Sequence, residues 1–336
     1  MNTPTPQQII EVKAGALFDA WKLRNNFSGY TILGVETEFV FPLINPETES
    51  PSRTFSEAGK MDVLAKDEQG RVWVIEHKTT SESLAPDSDY WTRLRMDSQC
   101  SKYFLAAMMQ KHDVAGVIYN VARRPLHQLR QIPMLDAEGF KQVFDASNQR
   151  VMCANGKKPR ETADAEKGYT LLTRTETLDE FYERIRADIV ERADEYFGRR
   201  EVPRLSTDLI EYMSDAWSVS QQILYFRSRG LWPRNTEACS AFGVCEFFDL
   251  CSGRASVDGI AYAKATTVHR ELAAQSDGSK ELFTNSRLRA LRKCSRFHQL
   301  RYEDKIQKCG DEPETLAFGT VMHRLWEGYF KSLQTK

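Results

Sequence analysis

Several absences narrow this chain before any motif is read. No apolar run approaches the roughly 20 residues that cross a bilayer, and the opening Met-Asn-Thr-Pro-Thr-Pro-Gln-Gln has neither the basic nor the apolar region of an export signal. A cytoplasmic protein with no membrane partner is the expectation. The formal net charge of -1 over 336 residues gives no global basic footprint and argues against indiscriminate nucleic-acid binding, while leaving room for a local basic groove. No Gly-x-x-x-x-Gly-Lys-Ser/Thr occurs, so any nucleotide-driven unwinding belongs to a partner. Internal repeats and low-complexity tracts are missing too. Seven cysteines, an odd number without an export signal, do not suit a disulfide framework and leave free thiols or metal ligands. With 41% hydrophobic and 28% charged residues, the composition is that of a chain able to bury one substantial core or two.

Of what is present, Gly59 to Lys78 is the most informative stretch. Gly59-Lys-Met-Asp62-Val-Leu-Ala reads as a strand, Asp67-Glu-Gln-Gly70 as a turn, and Arg71 to Lys78 as the partner strand of a hairpin. Side chains two apart on a strand share a face, so Glu76 and Lys78 project together while Ile75 and His77 point away. Pairing the strands brings Asp62 near Glu76. Two carboxylates at such a separation supply hard oxygen ligands for magnesium or manganese, and an adjacent ammonium can orient water or stabilise charge on a phosphate. The same residues are also compatible with an ordinary charged hairpin.

In order, Gly59-x-x-Asp62, Glu76-x-Lys78-Thr79-Thr80 and Gln99-x-x-x-Tyr103 resemble the PD-(D/E)XK nuclease superfamily in its RecB-like branch. The resemblance implies a restriction-endonuclease-like α/β fold: a mixed β-sheet around Tyr30 to Val121, flanked by helices, with a helical cysteine-containing C-terminal region. It implies Asp62 and Glu76 as ligands of Mg2+ or Mn2+, the carbonyl of His77 as a further ligand, and Lys78 as the catalytic lysine. Gln99 and Tyr103, one turn apart on a helix expected over Trp91 to Gln110, would face the same site. Glu36 resembles a glutamate this branch often carries. A solvated strand face explains it equally.

Helical spacing of Ile9, Ile10, Val12, Leu17, Phe18 and Trp21 predicts a packing helix over Gln7 to Arg24, and alternation predicts a strand over Tyr30 to Leu43 followed by a loop over Asn45 to Ser56. Val114 to Val121 reads as a strand buried on both faces. Two amphipathic helices are expected, one from a Thr175 cap to about Phe197 and one over about Asp208 to Arg227. The domain reading is a nuclease core over 1-168, a helical region with a cysteine triplet over 169-254, a linker over 255-284, and a segment over 285-336.

Cys239-x5-Cys245-x5-Cys251 stands in an aromatic-rich irregular stretch, where thiols have reason to cluster as ligands rather than as core. The triplet resembles that of the iron-sulfur RecB-like nucleases, AddB included, with a longer first gap. In those proteins the fourth ligand precedes the core, on a helix ahead of a Gly-x-x-x-His motif. Here Ser286 to Tyr302, containing Cys294, and Phe318-Gly319-Thr-Val-Met-His323 look like that front end placed at the other end of the chain. Either the nuclease is circularly permuted and the tail folds onto its own core, or a second module opens there. The permuted reading is preferred, because a fragment would leave its apolar face uncovered. It makes Cys294 the fourth ligand of a [4Fe-4S] cluster, with zinc as the alternative, and His323 an additional divalent-metal ligand. Arg289, Arg292, Lys293 and Arg296 on the same helix are candidates for DNA phosphates. Cys100, Cys153 and Cys309 have no partners at ligand spacing. The expected function is metal-dependent DNA cleavage of the RecB exonuclease type, in recombination, repair or phage DNA processing, with a helicase or recombination protein as a possible partner. The rival is a nuclease-fold DNA-binding or assembly module that does not cut.

Overall fold

Alternating β-formers build six strands of a central mixed sheet: β1 (Tyr30–Ile44), β2 (Pro51–Asp67), β3 (Val72–Thr80), β4 (Val114–Arg123), β5 (Phe197–Val202) and β6 (Lys280–Phe283), with Ser276–Asp277 as a short edge strand beside β6. The structure is a computed structural model and describes residues 4–241, 243–270, 272–273, 276–310 and 313–334. Its helices include α1 (Pro6–Arg24), α2 (Asp89–Leu94), α3 (Ser98–Met109), α4 (Leu178–Glu191), α5 (Ser206–Arg229), α6 (Asn285–Lys293) and α7 (Glu314–Gln334). Strand, hairpin, helix and strand follow one another as β1, β2–β3, α3 and β4.

The long strand β2 organises the sheet. One edge pairs antiparallel with β1 from Tyr30↔Asp67 to Ile44↔Pro51. The other edge is shared: Val63 to Lys66 pair with antiparallel β3, whereas Phe55 to Glu57 pair with parallel β6. Residues 58–62 lie between these two ladders. The hairpin turn follows from Asp67, whose Oδ1 accepts the backbone N–H groups of Gln69 and Arg71, and from Gly70 at φ 81. β4 runs parallel to β3 and antiparallel to β5, and its interior is buried on both faces, as its unbroken apolar run predicts.

Several elements differ from the sequence reading. Residues 51–56, expected in a loop, are strand, because β1 and β6 satisfy their backbone groups. The helix expected over Trp91 to Gln110 is two helices, since the Asp97 carboxylate accepts the Gln99 N–H at 2.8 Å and starts α3 afresh. α4 begins after Thr177, whose side chain forms a capping box with Glu180, and ends at Glu191; a short helical turn over Ala193–Tyr196 then carries the chain to β5 at Phe197, near the expected helix end. Within the stretch expected to be a linker, Lys280–Phe283 joins the central sheet and Tyr262–Lys264 pairs with Ile306–Lys308. The chain divides into two compact units. One joins the segment ending at Leu23 to Arg124–Ala193: α1 meets α4, with the Tyr182 hydroxyl donating to Asp19, beside two short ladders, Gln131–Pro133 with Thr173–Thr175 and Val143–Phe144 with Thr170–Leu171. The other holds Arg24–Arg123 and everything from Asp194 onward, and therefore the whole sheet, the cysteine triplet and the tail.

In that second unit α3 is tied to β2 and β6 by a buried ionic contact. Lys102 Nζ lies 2.5 Å from Glu57 Oε2 and donates to the Phe283 carbonyl at 2.7 Å, while the Tyr212 hydroxyl donates to Glu57 Oε1 at 3.0 Å. Both charged side chains are almost wholly buried. Removing one partner of such a pair strands the other charge and costs roughly 3–5 kcal/mol. Lys102→Met is expected to lower the thermal midpoint sharply, and adding Glu57→Leu to recover part of the loss, as read by calorimetry on the two single variants and the double.

Candidate active site

Asp62 stands where the β2–β3 ladder ends. Val63 is still paired with Ile75, but one residue earlier the strands part, and the backbone N–H of His77 is taken instead by Asp62 Oδ2 at 2.8 Å. The carboxylate is thereby fixed at the parting of the strands. Glu76 and Lys78, two apart on β3, both reach α3: Lys78 Nζ donates to Glu76 Oε1 and, at 3.2 Å, to Gln99 Oε1. Gln99 Nε2 donates to Glu76 Oε1 at 2.9 Å and to the Tyr103 oxygen at 2.6 Å. Between them His77 turns the other way, its ring 4.6 Å from that of Trp326. Asp62, Glu76, Lys78, Gln99 and Tyr103 line one cleft of about 420 Å³ together with Lys60, Lys102, Thr284, Asn285, Ser286, Arg289 and His323. Gly59 also lines it. A Cβ there would lie 2.6 Å from the Phe39 ring, so only glycine lets that ring close over the strand.

Electrostatics set this cleft apart. Burial raises the Asp62 carboxyl to about 7 against the charge of Lys78 and the His77 amide. Burial and then the charge of Asp62 raise Glu76 to about 7 as well. Burial opposes the charge on Lys78, but Glu76 and Asp62 outweigh it and keep the ammonium protonated above its ordinary range. Glu76 Oε2 is buried without a hydrogen-bond partner among the described residues. A buried, unsatisfied carboxylate oxygen is costly unless a cation meets it.

The tail supplies such chemistry. α7 buries Phe318, Met322, Trp326 and Phe330, a four-residue repeat on one face. Gly319 brings that helix close to β3, where a Cβ would sit 3.3 Å from Thr79 Oγ1. One turn on, His323 Nδ1 lies 3.7 Å from Asp62 Oδ2. Ligand atoms of Glu36, Asp62 and His323 all fall within 4.8 Å of one another. Glu36 stands between the Val35↔Val63 and Thr37↔Met61 pairs, hence opposite Asp62, in a left-handed conformation with φ 52. A glutamate in that region is strained by roughly 1–2 kcal/mol. The set fits a hard divalent cation: carboxylates, one imidazole and an orphaned oxygen nearby on Glu76. The expected ligand set of Asp62, Glu76, the His77 carbonyl and His323 therefore meets a preformed trio in which Glu36 takes part.

A second site lies in the same unit. Cys239, Cys245, Cys251 and Cys294 all line one small pocket, with Phe247, Phe248, Phe297, Arg234 and Lys293. Asn235 joins its two sides: its backbone N–H donates to Cys294 Sγ at 3.3 Å, and its carbonyl accepts from Cys239 Sγ at 3.7 Å. Burial raises the Cys251 thiol, and the neighbouring Cys245 and Cys294 add to the shift after Arg234 and Arg296 oppose it. Four thiols facing one apolar pocket are a donor set for a soft metal or a cluster. Cys100 is buried elsewhere, and Cys153 and Cys309 are exposed.

Of the four basic residues expected to meet DNA, Arg289 lines the cleft. Arg292 pairs with Asp215 at 2.5 Å, Lys293 lies over the Phe297 ring, and Arg296 donates to Gln299. Lys60, Lys102, Thr284 and Asn285, which the sequence reading did not single out, line the cleft as well. Lys60 had a signal in its position, two residues before Asp62 on the same strand.

No curated protein and no solved structure matches the chain. The model of the PD-(D/E)XK nuclease superfamily matches residues 9–209, a span that includes β1 to β5, the paired carboxylates, Lys78 and the Gln99–Tyr103 helix. On that match, and on a mixed sheet that delivers the motif residues to one cleft, the chain belongs to the PD-(D/E)XK nuclease superfamily.

Proposed function

We propose that this protein is a deoxyribonuclease dependent on Mg2+ or Mn2+, of the RecB-like iron-sulfur branch, whose tail is the branch's front end carried to the far side of the core by circular permutation. The observation that carries the reading is His323 beside Asp62: a residue from α7 lines the same cleft as the β2–β3 hairpin far earlier in the chain. Cys294 joining the triplet in one pocket supports the same permutation. Glu36, Asp62, Glu76 and His323 would hold the divalent ion. Such an ion supplies Lewis acidity toward the scissile phosphate and its attacking water. Lys78, fixed by Glu76 and Gln99, is placed to stabilise negative charge as it develops on the phosphate. Gln99 and Tyr103 hold Glu76 in register. Arg289 meets the backbone of the incoming strand.

The cysteines would hold an iron-sulfur cluster. Four thiols lining one apolar pocket are the observation behind this reading, with zinc as the alternative occupant. Hydrolysis needs no electron, so the cluster is a staple between segments distant in sequence. A cytoplasmic role in recombination, repair or phage DNA processing, with a helicase or recombination protein to open the duplex, accords with the missing nucleotide-binding motif.

Purified protein with labelled single- and double-stranded DNA is expected to give product only with Mg2+ or Mn2+, and Lys78→Ala to lose on the order of 10²–10³ in rate. Binding without any metal-dependent product would make the chain a nuclease-fold DNA-binding module instead. Because Asp62 and Glu76 must lose protons held to about 7 before they bind a cation, apparent metal affinity should fall as pH drops below about 7. The slope is up to about tenfold per unit for each proton displaced, measurable by titration calorimetry between pH 6 and 8. Anaerobically purified protein should be brown and contain iron, and Cys294→Ala should lose both; stoichiometric zinc in a colourless protein would refute the cluster.

A further inference from the structure

We propose that Lys60 is a resident counter-cation of the metal site: its ammonium occupies Glu36 until a divalent ion arrives, then turns to a DNA phosphate in the cleft. This rests on the nuclease reading above.

Three observations lead to it. Lys60 lies two residues before Asp62 on β2, so both side chains leave the strand on one side, and both line the cleft. Its Nζ is 2.5 Å from Glu36 Oε2, with both side chains partly buried. Glu36 is the residue whose left-handed backbone aims it at Asp62 and His323. A divalent ion on that trio and the Lys60 ammonium therefore compete for the same carboxylate.

The surrounding charges leave Lys60 one useful destination. Glu76 Oε1 is taken by Lys78 and Gln99, its Oε2 is left to the divalent ion, and Asp62 receives the His77 amide and faces His323. Glu327 on α7, the remaining acid whose charge reaches Lys60, is paired with Lys331 at 2.6 Å. The ion pair that holds Lys60 is the one with Glu36, so loss of that partner frees the Lys60 side chain. Released from Glu36, it remains on the cleft wall beside the cations that meet a phosphate backbone, Lys78 and Arg289. Metal entry and phosphate binding are thus coupled through one side chain, with positive coupling between the two ligands.

The test is a double-mutant cycle on the full chain. Mn2+ binding is measured by titration calorimetry for wild type, Lys60→Met, Glu36→Gln and the double variant, and DNA binding by fluorescence anisotropy of a labelled oligonucleotide in Ca2+. Lys60→Met should bind Mn2+ several-fold tighter than wild type and bind DNA several-fold more weakly. In the Glu36→Gln background the substitution should leave Mn2+ affinity unchanged. Unchanged or weaker Mn2+ binding by Lys60→Met, or an equal gain in both backgrounds, would overturn the competition. If wild type binds no Mn2+, the metal site itself fails; if it binds and Lys60→Met does not tighten it, only the role of Lys60 is lost. Thermal melts confirm that each variant is folded, with Lys60→Gln as the substitute if methionine is not tolerated.

Discussion

Negative charge held away from water is the constraint on which this architecture turns. Asp62 and Glu76 line one cleft with carboxyls raised to about 7, and a carboxylate oxygen of Glu36 lies within 4.8 Å of one on Asp62. Withdrawing a carboxylate from water costs several kcal/mol unless a cation or a set of donors meets it. The fold answers from four directions: Lys60 from β2, Lys78 and the His77 amide from β3, Gln99 from α3 and His323 from α7. A continuous β2–β3 ladder would have used the His77 amide as an ordinary rung. Parting the strands at Asp62 frees that donor for a carboxylate and opens the space that the cleft occupies.

The same parting explains why β2 needs a second partner. Beyond the gap its edge is covered by β6, and β6 is held in turn by charge. Arg227 and Arg287 both bind Glu281 and Glu303, and Arg287, nearly wholly buried, also donates to the Leu282 carbonyl at 3.1 Å. This network fastens β6 to α5 and to the segment after Cys294. α6 springs from the end of β6, with Asn285 and Ser286 on the cleft wall and Cys294 closing its other end in the cysteine pocket. Nine helical residues, about 13 Å at 1.5 Å per residue, separate the two sites.

What could be read from sequence follows from how local each cause is. Glu76 and Lys78 were legible because strand periodicity alone puts them on one face, and Asp62 because an Asp67-to-Gly70 turn dictates its strand's partner. Gln99 and Tyr103 were legible only through their order behind that hairpin. β6 was not: four residues become strand because β2 offers them a free edge, a tertiary cause with no local trace. Nor was the left-handed Glu36, since a strained backbone is imposed by its surroundings. The break at Asp97 did carry a signal, an aspartate two residues before Gln99, but apolar periodicity on both sides of it masked the cap. The compact unit at Arg124–Ala193 was hidden because it interrupts two strands, β4 and β5, that pair directly.

The permuted order proposed for this chain is physically inexpensive. β6 beside β2, Lys102 on the Phe283 carbonyl and His77 against Trp326 are contacts set by position in space, and each forms whichever way the chain connects its partners. Chain order enters through loop closure, whose cost grows by only about 0.6 kcal/mol for each doubling of loop length. Against this, burying an aromatic or aliphatic side chain contributes roughly 1.5–3 kcal/mol, and α7 buries four: Phe318, Met322, Trp326 and Phe330. The apolar face of α7 thus outweighs the connection it travels on, and docking is decided by whether β3 can accept the helix closely. Gly319 against Thr79 meets that condition, and the same close approach sets the register that puts His323, rather than a neighbour one residue away, beside Asp62.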